Sequence, residues 1–265
     1  MTNSVSAEGS LNRRVVITGC GVVCSLGQSS SAVWEAIENN LSGVKLISQL
    51  NTSKYKTKIA AEIDNLDFLG KRFKQEYWNS LDKIAQFTVS AGLSAFEDAS
   101  LNFTPENASE VAVVLASQWQ EHNSQSQPAE TLAGLLGITG KVLQLNAHSA
   151  GGVIAISEAA EMIRRGDALV AFAGGAEDPI NSSTLSFYEN NTDLSVNNET
   201  PTEASRPLDL NRDGFVLAEG AAIIVLEDLE VAQTRGANIL AELEGSSYSF
   251  SPGVSGIPKL SVSQI

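Results

Sequence analysis

The sequence predicts an α/β domain whose sheet is covered by helices on both faces, and three observations carry the prediction. Apolar β-branched runs alternate along the chain with segments whose apolar residues recur at helical spacing. The central runs, Val111 to Leu115 and Ala168 to Ala173, are apolar without interruption, the pattern of strands buried on both faces. The chain has 265 residues, 43% hydrophobic and 18% charged, enough to bury such a core.

Taken in order, the first strand is Val15-Val16-Ile17-Thr18, which Gly19 and Gly21 are expected to end. A helix follows from about Ser31 to Asn40, with Val33, Trp34 and Ile37 at helical spacing. Residues 41–80 are mixed, with a short strand from Ile59 to Ile63. An amphipathic helix spans Asp82 to Ala99, its apolar face carrying Ile84, Phe87, Ala91 and Phe96. The strand from Val111 to Leu115 leads to a Gln/Asn/Ser-rich stretch, 118–127, that reads as a surface loop. A short helix from Glu130 to Leu136 precedes a strand, Val142 to Leu145, that reads as buried. A helix from Ser149 to Arg165 and a buried strand from Ala168 to Ala173, ended by Gly174-Gly175, come next. Residues 189–205 are polar and loop-like. The strand Ala221 to Leu226, the helix Leu229 to Arg235 and the strand Ile239 to Leu243 complete the series. The domain is therefore expected over 13–245, after a disordered N-terminus, 1–12, and before a loose Ser/Gly/Pro-rich tail, 246–265.

Seventeen Lys and Arg against 31 Asp and Glu leave a net charge of −14. That balance argues against a nucleic-acid backbone or an anionic membrane surface as partner. The candidate basic clusters, Arg13-Arg14, Lys71-Arg72-Lys74 and Arg164-Arg165, read as solvated faces. Two cysteines, Cys20 and Cys24, exclude a disulfide framework and point to a reducing, cytoplasmic compartment. Their Cys-x3-Cys spacing, with no further Cys and no nearby His, makes a poor metal site, and both read as small buried residues. No Gly-x-Gly-x-x-Gly phosphate loop is present, and neither metal nor cofactor is expected. The start is polar, without the apolar core of a signal, and no apolar run reaches the ~18 residues of a membrane span.

The one loop that suggests chemistry is Leu145-Asn146-Ala147-His148-Ser149-Ala150-Gly151-Gly152. A strand, a sharp turn and a helix in succession present a side chain at the positive end of the helix, where enzymes place a nucleophile. His148 is therefore the candidate catalytic residue. Neutral imidazole can serve as base, weak nucleophile or hydrogen-bond donor. The competing reading, which the sequence favours, is a gap-filling histidine with no chemistry. Neither His148 nor His122, the other histidine, has an evident orienting partner in the sequence. The first two turns of the helix are apolar all round (Ala150, Val153, Ile154, Ala155, Ile156), so the helix asks for a cover beyond its own sheet.

Three stretches resemble the elongating β-ketoacyl-ACP synthases. Arg14 to Gly27, followed by Trp34-Glu35 and Ser42-Gly43-Val44, is similar to that family's opening strand and Gly-rich turn. Asn146 to Gly152 lies at its nucleophile loop. Arg206-Pro-Leu-Asp209, Arg212-Asp-Gly-Phe215 and Glu219-Gly220 match its most specific signature. The resemblance implies the N-terminal half of a five-layer ketosynthase fold, a thiolase-like αβα half with a mixed sheet covered by helices on both faces. It also implies that His148 stands where the family carries its acyl-bearing cysteine. The stretch from Leu115 to this loop is shorter than is usual in the family, and the C-terminal half, with its histidines, is expected to be missing. The charged residues Arg206, Asp209, Arg212, Asp213 and Glu219 are expected to fix their own loop by ion pairing rather than to catalyse.

The implied activity is acyl transfer in fatty-acid or polyketide chain elongation, the decarboxylative Claisen condensation of malonyl-ACP with an acyl group. With the cysteine replaced, this chain is expected not to condense alone. It would act as a noncatalytic partner, in a homodimer or a heterodimer with a ketosynthase-like chain, and with acyl carrier protein or an acyl or malonyl thioester at hand. The alternatives are an enzyme processing acyl or malonyl thioesters beside a partner chain, and a decayed synthase fragment without function.

Overall fold

The computed structural model describes residues 13–64, 66, 74–118, 127–191 and 194–249. The loop expectation over 118–127, His122, Lys71 and Arg72, the N-terminus 1–12 and the tail from 250 onward lie wholly or mostly outside these residues.

The strands are β1 (Val15–Cys24), β2 (Lys45–Leu46), β3 (Ile59–Ala60), β4 (Val111–Ala116), β5 (Val142–Leu145), β6 (Val170–Glu177), β7 (Gly220–Asp228) and β8 (Ala241–Glu242). The helices are α1 (Ser30–Glu38), α2 (Gln75–Ser80), α3 (Lys83–Asp98), α4 (Pro128–Leu136), α5 (Gly151–Arg164), α6 (Ser182–Asn191) and α7 (Leu229–Thr234). Six strands form one mixed sheet in the order β5-β4-β6-β7-β1-β8. β4 runs parallel to β5 and β6, while β7 is antiparallel to both β6 and β1.

The two faces of this sheet are sorted by the twofold alternation of strand side chains. On one face, Val111, Val113 and Leu115 of β4 join Phe172, Ile223 and Val225 under α3 and α4. On the other, Ala112, Val114 and Ala116 meet Ala155, Ala159, Ala160 and Ile163 of α5 across a layer of small side chains. The predicted α/β class, with a mixed sheet and helices on both faces, is the observed one.

Several boundaries move. β1 does not end at Gly19 but continues to Cys24, because α3 lies directly over it. A Cβ on Gly21 would stand 2.0 Å from the Ala91 carbonyl oxygen, so glycine here permits close helix–strand approach and is no terminator. β6 likewise runs through Gly174-Gly175, carried by ladders on both sides, to β4 and to β7. β5, read as buried, is an edge strand with Leu143 exposed. Cys20 and Cys24 are half-buried rather than buried. α6 lies mostly before 189, in a stretch given no element in the sequence, and runs into the expected loop only over 189–191; α2 falls in the mixed stretch. The basic pairs carry surface ion pairs, Arg13 with Asp228, Arg14 with Glu242, Arg164 with Glu161 and Arg165 with Asp167, and Arg14 and Arg165 are solvent-exposed as expected. Among the described residues no helix is long and apolar enough to cross a membrane.

Candidate active site

The site is built by the ends of five strands on one side of the sheet. β5 stops at Leu145, and a single 3-10 turn, His148–Ala150, carries the chain into α5. His148 has φ +49°, the left-handed conformation that a residue with a Cβ adopts at a cost. The turn can be this sharp because the helix starts with glycine: a Cβ on Gly151 would lie 2.9 Å from the Ala116 Cβ. The His148 amide N–H reaches Asn146 Oδ1 at 3.5 Å, and the imidazole is exposed. Among the described residues the hydrogen bonds at His148 are made by its backbone.

The ring lines a cavity of about 480 Å³. Cys24 closes it from the end of β1, Ser117 and Gln118 from the end of β4, Glu177 from β6, Gly220 from the start of β7, and Tyr188 from α6. This is the carboxyl end of the parallel strands β4 and β6, where α/β sheets hold their ligands. Small and apolar groups make up most of the wall, with a few polar side chains among them, the composition of a small-molecule pocket. Glu177, which the sequence did not single out, accepts a hydrogen bond from the Gln118 amide and so ties the β4 and β6 rims together. Among the described residues no group of three or more His, Cys, Asp or Glu could hold a metal ion.

The charged segment from Arg206 to Glu219 does not form the expected ion-pair network within itself. Asp213 takes the Ser195 hydroxyl at 2.8 Å and the Val196 amide at 3.0 Å. Desolvation pushes the Asp213 carboxyl up, but these hydrogen bonds, with the nearby Arg206 charge, outweigh it and hold the group below the ordinary aspartate value. Glu219 is buried and pairs instead with Lys83, at 2.5 Å. Arg212 donates to the Asp209 carbonyl oxygen at 2.8 Å, and Arg206 Nε is buried without a hydrogen-bond partner among the described residues. Asp213 and Glu219 are thus tied to other segments, while the Asp209 carboxylate accepts from the Asn211 amide of its own loop at 2.7 Å.

The first two turns of α5 bury Gly151, Ala155 and Ser157 against the sheet. Val153 remains 65% exposed and Ile154 and Ile156 are half-buried. The outer side of this helix start is therefore apolar and uncovered among the described residues, next to the cavity lined by Gly151 and Gly152.

Comparison with known proteins agrees with this arrangement. The chain is 30% identical over 262 residues to 3-oxoacyl-[acyl-carrier-protein] synthase 2 of Vibrio harveyi. It is 34% identical over 262 residues to the synthase of the same name from Coxiella burnetii. In each case 89% of this chain is covered but 63% of the relative, so the chain spans somewhat under two thirds of these relatives' length. A solved type II PKS ketosynthase, in complex with its acyl-carrier protein and bound to the hexaketide, superposes with a TM-score of 0.73 at 28% identity, covering 88% of this chain and 62% of that one. A beta-ketoacyl synthase from Burkholderia phymatum shares the fold, with a TM-score of 0.74 at 24% identity over 87% of this chain and 63% of its own. Residues 12–232 match the profile of the beta-ketoacyl synthase N-terminal domain, and by that match the chain belongs to the beta-ketoacyl synthase family.

Proposed function

We propose that this chain is a ketosynthase-related subunit of fatty-acid or polyketide chain elongation that does not itself carry the growing acyl chain. The observation behind the reading is His148, held at φ +49° at the turn between β5 and α5 and open to the cavity. This loop is taken to be the one where the condensing synthases carry their acyl-bearing cysteine, as the Asn146–Gly152 resemblance implies. A thiolate gains from the positive end of a helix and forms a stable thioester, whereas an imidazole does not hold an acyl group in that way. On this reading the chain works in the cytoplasm as a noncatalytic partner of a ketosynthase-like chain, as homodimer or heterodimer. Its further partner is acyl carrier protein or an acyl or malonyl thioester, with no nucleic acid and no membrane. The uncovered apolar start of α5 is the face on which such a partner would sit.

The test is intact-mass analysis after incubation with octanoyl-ACP and malonyl-ACP. The wild-type chain stays unmodified and releases no condensation product, while His148→Cys gains the mass of one acyl group. A stable acyl adduct on the wild-type chain, or condensation by it alone, overturns the proposal. The open imidazole also favours a second reading, in which His148 acts as a base on acyl or malonyl thioesters beside a partner's residues. That reading predicts thioester turnover by the assembled pair, and it is excluded if His148→Ala leaves that turnover unchanged.

A further inference from the structure

We infer that Lys83 is a positioning residue for the His148 cavity, pinning from behind the ends of β6 and β7 that form part of its wall. Lys83 is the first residue of α3. Its ammonium lies 2.5 Å from Glu219 Oε2 and 3.7 Å from Asp178 Oδ1, donates to Gln49 Oε1, and stands 5.6 Å from the centre of the Phe87 ring. Both carboxylates belong to residues set between cavity-lining neighbours. Asp178 lies between Glu177 and Pro179, and Glu219 lies between Ala218 and Gly220; all four neighbours line the cavity. One cation therefore holds two wall segments, from strands β6 and β7, to the start of a helix on the covered face of the sheet.

The wall has little slack to absorb the loss of that cation. The Glu219 side chain is fully buried, and its second oxygen is already committed to the Ile63 amide at 2.7 Å. Without Lys83 the buried carboxylate keeps the Ile63 amide and Gln49 Nε2, at 3.4 Å, but has no cation, and it is drawn toward water. Movement of Glu219 carries Gly220 with it. Gly220 has φ +155°, and a Cβ there would lie 2.4 Å from the Val23 carbonyl oxygen, so this backbone is packed directly on β1. Gly220 is also in register with Cys24 on one side and Glu177 on the other, and both line the cavity. A displacement at Glu219 thus reaches the cavity ends of three adjacent strands, β1, β7 and β6. The inference concerns the shape of the cavity and goes beyond the proposed function, since it holds whichever chemistry His148 performs.

Amide hydrogen exchange on the full chain, set beside a urea melt of the same samples, tests it. In Lys83→Met, exchange at Glu177 and at Gly220 to Ala222 is expected to rise at least tenfold more than the loss of global stability accounts for. The far ends of the same strands, Val170 to Phe172 and Val225 to Glu227, should follow the global loss alone. Lys83→Arg should restore protection, because it returns a cation to both carboxylates. Asp178→Asn removes one of the two ion pairs without stranding the buried Glu219, and should raise exchange at Glu177 while leaving the melt nearly unchanged. A uniform rise along β6 and β7 in Lys83→Met, equal to the global loss, makes Lys83 a stability residue only and overturns the inference. If Lys83→Met does not fold, Asp178→Asn decides: unchanged exchange at Glu177 overturns it as well.

Discussion

At the scale of single residues, His148 holds φ +49°, a left-handed conformation shared with Asn40, Ser100 and Leu208. A side chain in that conformation costs about 1–2 kcal/mol, while glycine adopts it without a Cβ clash. His148→Gly is therefore expected to leave the urea midpoint unchanged or to raise stability by up to about 1 kcal/mol, after the greater backbone entropy of glycine is set against the relief. A loss of more than about 2 kcal/mol, the cost of a lost packing contact rather than of relieved strain, would show that the imidazole is a packed structural group and would sink the view of an exposed, functional side chain. Asp213 gives a pH prediction of definite sign. Its folded pKa lies below its ordinary value, so the unfolded chain binds the proton more tightly than the folded one. The stabilisation is whole above the unfolded pKa of about 3.9 and fades as pH falls through the lower folded value. Exchange of the Val196 amide, measured from neutral pH down through that range and corrected for intrinsic rates, should rise only at the acid end. In Asp213→Asn it should already be fast at neutral pH. An acid step that persists in Asp213→Asn would assign the effect to another group.

At the scale of elements, the same substitution has opposite signs at two glycines, because one is a contact and the other is open. Gly21→Ala would drive a Cβ to 2.0 Å from the Ala91 carbonyl oxygen and force α3 off β1. A loss of about 3 kcal/mol or more is expected, at the upper end of ordinary overpacking because the obstruction is backbone. Gly134, inside α4, has nothing within 4 Å of an added Cβ. There Gly134→Ala should gain about 0.5–1 kcal/mol of helix propensity. Urea melts of the two variants check both signs, and a neutral Gly21→Ala would mean that α3 does not sit as close to β1 as the structure has it. The glycines of β1 also mark the limit of what was legible in the sequence. Their presence was read as punctuation, since a sequence does not say whether a glycine ends a strand or admits a helix over it. The long periodic elements, α3 and β4 among them, were legible because burial on a fixed face dictates their residues. α6 was not: it is rich in Ser and Asn and buries only Thr184 and Leu185, so it has almost no apolar stripe to detect. β5 reads as buried in the sequence because an edge strand and a central strand of four residues carry similar apolar runs. At the site, the elbow and His148 were legible from strand–turn–helix order. Glu177, Tyr188 and Lys83 were not, because only the sheet order brings them to the cavity or its back wall.

At the scale of the whole molecule, two opposed forces govern association. The net charge of −14 repels like copies at long range. Exposed apolar groups attract at contact: Val153 beside the elbow, Trp34 and Ile37 on α1, and Leu208 and Leu210, which are 96% and 93% exposed in the charged segment. Salt weakens the first force and not the second, since the screening length falls from roughly 30 Å at 0.01 M to about 10 Å at 0.1 M. The mass of the purified chain by light scattering should therefore rise with ionic strength, from monomer at low salt toward a defined dimer, while one cooperative urea transition persists. Val153→Asp places a charge in the middle of the uncovered α5 face and should hold the chain monomeric at both salt concentrations, with little loss in the melt because Val153 is 65% exposed. A dimer that survives Val153→Asp moves the contact to another face, with the edge strand β5 next in line because its unpaired backbone groups invite a further strand. A chain that stays monomeric at every salt and protein concentration tolerates its apolar face in water. The partner role would then have to rest on a different chain, one whose own cations draw it to this acidic surface even at low salt, where the association would be strongest rather than weakest.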